Sequence, residues 1–148
     1  SWRDEKGFIL ELIKTKGDVS WTWAQAASYL TRAGNYINAI ESIRTAARLS
    51  PSEPAFIFGE AYIRCQLQPT AEFPGEFKAT LRLALHDRPV TPTSVNSFVS
   101  MIKMCQQTNS NDVVLRELYI EAGKYNMDIM ANIGKQALDR LDNKPVQE

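Results

Sequence analysis

The chain has little of what chemistry usually needs. Its 148 residues include one histidine, His86, and two cysteines, Cys65 and Cys105. A structural zinc site takes around four Cys or His ligands, so these three residues do not make one. There is no excess of charge, with 17 basic and 17 acidic side chains. A surface for nucleic acid needs clustered, uncompensated Lys and Arg, and that partner class is excluded. No apolar run approaches the roughly 18–20 residues that span a membrane, and no signal-peptide pattern is visible. Alternating apolar and polar runs closed by Asn-Gly or Asp-Gly are absent, which removes the usual mark of β-hairpins. A phosphate loop, a Gly-x-Gly-x-x-Gly turn, a His-Glu-x-x-His helix and a nucleophile elbow are absent as well. No catalytic, cofactor-binding or metal-binding residue is assigned, and no cofactor is expected.

What is present is helix signal in a chain of ordinary globular composition, 44% hydrophobic and 23% charged. Its length suits one domain with a core of its own. Phe8, Ile9, Leu12 and Ile13 recur at helical spacing within 2–14. Asp4 and Glu5 lie at the end of that segment where the helix dipole favours acids, and Gly17 suits its stop. Ser20 is read as the cap of a helix reaching Arg32. Ala33-Gly34-Asn35 is the turn, and a second helix runs from Tyr36 to Leu49 before Pro51.

The segment 20–51 carries the clearest pattern. Trp23, Ala27, Gly34, Tyr36, Ala39, Ala46 and Pro51 stand where a tetratricopeptide repeat (TPR) has them, and the segment resembles that motif. The resemblance covers about a fifth of the chain. It implies two antiparallel helices, with small residues where they approach and a neighbour stacked on the outer face. That neighbour is read at 54–89, where Ala84 and Pro89 echo Ala46 and Pro51 at 38 residues. A regular repeat takes about 34, so the turn at 67–74, which holds Pro69 and Pro74, is lengthened by about four. A third helix pair is read at 92–123 and a closing helix at 127–141, with 143–148 a frayed tail. The expected fold is all-α: a single TPR-like stack of about eight helices over 1–142.

By repeat phase, the resemblance places Trp21, Ser28, Thr31 and Arg32 on a concave face, joined by Phe58, Tyr62 and Gln66 from the next pair. Aromatic anchors beside an Arg suit a protein or peptide partner. The same Phe58 and Tyr62 equally suit the core of a short, irregular stack. The expected function is a non-catalytic interaction module.

A second resemblance lies in the opening, where Trp2, Asp4 and Glu5 lead through a helix straight into the repeat. It is similar to the segment after the last membrane span in polytopic proteins with C-terminal TPR tails, among them sugar-transferring enzymes and O-antigen polymerase or ligase-like proteins. It implies an extracytoplasmic, periplasmic domain whose catalytic part lies outside this chain; without it the cytoplasm is expected. The start at Ser1, with no initiator Met, is read either as processing of the natural protein or, preferably, as a piece of a larger one.

The remaining candidates read as structure. His86 with Asp87 and Arg88 sits at a helix end, where a cation meets the dipole. Glu117 and Glu121 lie one helical turn apart like solvated acids. Arg44, Arg48, Lys78 and Arg82, near Glu41 and Glu76, read as a mixed solvated face. The connection 67–75 is an open surface candidate. Cys65 and Cys105 read as two buried thiols, with a disulfide the alternative in an exported setting.

Overall fold

A computed structural model describes residues 2–69, 71–86, 91–105, 113–122 and 128–142. Residues 106–112, 123–127 and 143–148, Asp87 to Val90 and the His86 side chain, with the turns and tail expected there, lie outside the described residues. Those described form eight α-helices and no strand: α1 (Trp2–Lys16), α2 (Ser20–Arg32), α3 (Tyr36–Leu49), α4 (Pro54–Leu67), α5 (Gly75–His86), α6 (Pro92–Cys105), α7 (Val113–Ala122) and α8 (Asp128–Asp142).

The α2–α3 hairpin follows from its turn chemistry. Gly34 has φ of 80°, a left-handed conformation that glycine adopts without a Cβ clash. Its N–H donates to the Thr31 carbonyl at 3.0 Å, and the Asn35 N–H donates to the Leu30 carbonyl at 2.8 Å. These two bonds are the paired hydrogen bonds of a Schellman stop. The far ends of the hairpin are tied by Ser50 Oγ donating to Ser20 Oγ at 2.9 Å. Ser20 is therefore not the cap: Val19 occupies that position and no side chain caps the helix. The hydroxyl is spent on the neighbouring helix instead. Between the helices, Ala27, Ala39 and Ala46 are buried and let the backbones approach, while Ile40 and Ile43 fill the space beside them.

Before the hairpin, Ile9 of α1 packs with Ala26 and Tyr29 of α2. Gly17 closes α1 where a Cβ would lie 2.6 Å from the Ile13 carbonyl oxygen. Trp23 Nε1 donates to the Gly17 carbonyl at 2.7 Å.

After the hairpin, α4 packs on α3 and then, most extensively, on α6 rather than on its sequence neighbour α5. Phe58 meets Phe98 edge to face at 5.0 Å, Cys65 is bonded to Cys105, and Ser94 Oγ donates to Glu53 Oε1 at 3.0 Å. Two of these links join positions 40 apart and the third positions 41 apart. A constant offset of this kind means two parallel helices in fixed register. The earlier stacking contact, Trp21 edge-on to Phe56 at 4.8 Å, spans 35 residues. The cysteines are thus not free thiols but a covalent tie between α4 and α6.

Helix α5 touches both α4 and α7 lightly, and α7 pairs with α8. Its inner face, Leu81, Ala84 and Leu85, enters the large core built on Phe58, Phe98 and Leu118. The connection before α5 is held by Phe73, which is buried and edge-on to Phe77 at 5.3 Å. Lys78 Nζ donates to Glu72 at 2.8 Å across the same bend. These two contacts tie the end of the connection, Glu72 and Phe73, to the first turn of α5. The molecule is a linear stack from α1 to α4 that closes into a bundle from α4 to α8.

Candidate functional site

The light contact between α5 and α4 leaves a broad concavity. It measures about 1080 Å³ and opens between α3, the start of α4, and α5. Its floor is apolar, formed by Ile57, Phe77, Ala47 and Ala84. One wall carries Arg44 and Arg48 of α3, and the opposite wall carries Glu76, Thr80 and Leu83 of α5. Leu83 is 69% exposed, an apolar side chain at the rim. Pro51, Ser52 and Pro54 close one end.

A charge relay sets the three walls. Glu60 of α4 has its side chain only 8% exposed. A buried carboxylate is costly unless paired, and here Arg64 Nε donates to Glu60 Oε2 at 2.8 Å. Arg44 Nε lies 3.8 Å from the other oxygen. The Arg64 guanidinium also lies over the Phe77 ring, 5.1 Å from its centre, which attracts a cation to the ring face. So α3, α4 and α5 are joined at the groove by Arg44, Glu60, Arg64 and Phe77. Arg48 Nη2 donates to Thr45 Oγ1 at 3.0 Å and has no carboxylate partner among the described residues.

The residues expected to form the concave face are not brought together. Phe58 is 0% exposed and lies in the large core, so it meets no partner. Tyr62 is half-buried between the two larger cores. Gln66 is half-buried, and its Nε2 is enclosed without a hydrogen-bond partner. Trp21 is 44% exposed but leans on Phe56. Ser28 is exposed, and Thr31 spends its hydroxyl on the Ala27 carbonyl at 2.7 Å. Arg32 pairs with Glu5 of α1, beside a smaller hollow of about 350 Å³ lined by Glu5, Tyr29, Arg32 and Ala33. Repeat phase failed at Phe58 because the parallel neighbour α6 covers the side of α4 that a regular groove would leave open.

The arginines read as one solvated face divide in the structure. Arg82 forks onto Glu117 of α7 at 3.0 and 3.2 Å, and Lys78 holds Glu72. Arg44 and Arg48 instead form a groove wall. Their one-turn spacing was visible in sequence, but only the position of α5 turns that spacing into a site. Among the described residues no three His, Cys, Asp or Glu side chains are placed to hold a metal, and no helix is long and apolar enough to cross a membrane. Comparison of the chain with family models, curated proteins and solved structures finds no match in any of the three.

Proposed function

We propose that this chain is a non-catalytic interaction module with a TPR-like build, which seats a segment of a protein or peptide partner. The single observation that carries the reading is the α3–α4–α5 groove. Its volume of about 1080 Å³ sits at the upper end of small-molecule sites and suits a length of polypeptide. Apolar floor, polar walls and an exposed apolar rim are the anatomy of a protein interface. The TPR-like build is supported by the α2–α3 hairpin and by the parallel stacking of α4 on α6. A photo-crosslinking residue at Thr80, in the groove, should trap a partner in the source cells. The same residue at Lys135, exposed on α8, should not. Equal adducts at both positions, or none at Thr80, refute the groove as the site.

A second reading rests on the Cys65–Cys105 bond. Disulfides persist in oxidising compartments, which favours the extracytoplasmic domain of a membrane glycosyltransferase or of an O-antigen polymerase or ligase-like protein. In that reading the groove docks a partner for an enzyme whose catalytic part lies elsewhere. Coding sequence upstream of Trp2 that contains a series of apolar spans would support it. Fractionation of the natural product into the soluble cytoplasm would refute it.

A further inference from the structure

We infer that the groove takes an acidic amphipathic helix: a partner segment with two carboxylates one turn apart and a bulky apolar residue between them. The inference rests on the groove being the docking site. It adds the chemistry of the occupant, and charge complementarity carries it.

Arg44 and Arg48 are four residues apart on α3, hence about 6 Å apart along its axis. Neither is fully used among the described residues. The Arg44 side chain is 52% exposed and only its Nε approaches Glu60, whose nearer cation is Arg64. Arg48 has one neutral acceptor, Thr45. Two exposed guanidinium groups on one wall therefore have donors to spare among the described residues, and guanidinium matches carboxylate geometry better than any other side chain. A helix lying alongside α3 repeats its own side chains at the same spacing, so Asp or Glu at i and i+4 would meet both arginines at once. The apolar residue on the same face would lie over Ile57 and Phe77, with Leu83 closing over it. Glu76 on the far wall disfavours an acid there and so sets which edge of the helix carries the carboxylates.

The test uses three fluorescein-labelled amphipathic peptides, identical except for Glu, Gln or Lys at two positions one turn apart, read by fluorescence anisotropy. The Glu peptide should bind about tenfold or more tighter than the Gln peptide, and the Lys peptide more weakly still. The Glu preference should shrink at roughly 0.5 M salt, where exposed charges are screened. The double variant Arg44→Gln/Arg48→Gln should bind Glu and Gln peptides alike, and Leu83→Asp should weaken all three. All three positions are exposed, and circular dichroism checks that the variants stay folded. If wild type binds Glu and Gln peptides equally and Leu83→Asp still weakens both, the acidic occupant is wrong and the groove stands. If no peptide binds, or Leu83→Asp changes nothing, the groove reading itself falls. Binding to phosphatidylglycerol vesicles through the same two arginines, without peptide binding, would assign the wall to a membrane surface and overturn the proposal.

Discussion

The guanidinium of Arg64 lies over Phe77, 5.1 Å from the ring centre, while its Nε donates to Glu60 at 2.8 Å. One side chain thus satisfies a buried carboxylate on its own helix and steadies the first turns of the next. Removing the carboxylate charge should be felt on both sides. Glu60→Gln should lower stability by about 2 kcal/mol, since a hydrogen bond between charged groups is lost and Arg64 is left half-buried beside a neutral amide. Chemical denaturation measures this. An unchanged midpoint would mean that Glu60 is not the anchor of the groove.

The tie between Cys65 and Cys105 closes a loop of 40 residues. By loop-closure entropy it stabilises the folded chain by about 3–4 kcal/mol. The double variant Cys65→Ser/Cys105→Ser should lose approximately that much, read as a lower denaturation midpoint. A thiol titration of the unreduced, denatured protein should find no free thiol; two would show that the bond does not form.

Two glycines should resist substitution for different reasons. Gly34→Ala places a Cβ on a left-handed residue and should cost about 1–2 kcal/mol. Nothing crowds that position, so the cost is conformational alone. Gly17→Ala meets the Ile13 carbonyl at 2.6 Å, a backbone atom that cannot swing aside. It should cost at least as much, together with a shift of α1. Thermal melts of the two variants separate the cases: equal and negligible losses would contradict both accounts.

Phe58 and Arg32 were expected on one face, and their substitutions should now diverge. Phe58→Ala empties a fully enclosed ring site against Phe98 and should cost about 3–5 kcal/mol. Arg32→Ala breaks an exposed pair with Glu5 and should cost less than about 1 kcal/mol. Similar small losses from both, by urea denaturation, would return Phe58 to the surface.

These contrasts mark how far the sequence could be read. Helix positions were legible because caps, turns and spacing are local: α3 runs from Tyr36 to Leu49 as expected, and Gly34 stops α2 as its type demands. Partner choice was not. The buried positions on α5, Phe77, Leu81, Ala84 and Leu85, form an apolar stripe that reads the same against any neighbour, so the lightness of its contact with α4 left no local mark. Two cysteines 40 apart are equally compatible with a bond or with separate burial. Ser20 is a good cap type, yet its hydroxyl found Ser50, a choice made by packing. Arg44 and Arg48 were visible as a pair, but whether such a pair faces bulk water or a groove depends on a helix about 30 residues further along the chain.

The parallel, covalently tied α4–α6 pair also divides the molecule into parts of unequal persistence. Amides at the centre of α4 and α6 lie in the most extensive contact that α4 makes, around buried Phe58 and Phe98, and they should exchange with deuterium chiefly through global unfolding. Helix α5 has lighter packing on α4 and an open groove on one side, so its amides should exchange by smaller, more frequent openings. The fold then behaves as a fixed frame with one adjustable jaw. The width of the groove is a property of the jaw alone, and an occupant that grips α5 would register first as slowed exchange in that single helix.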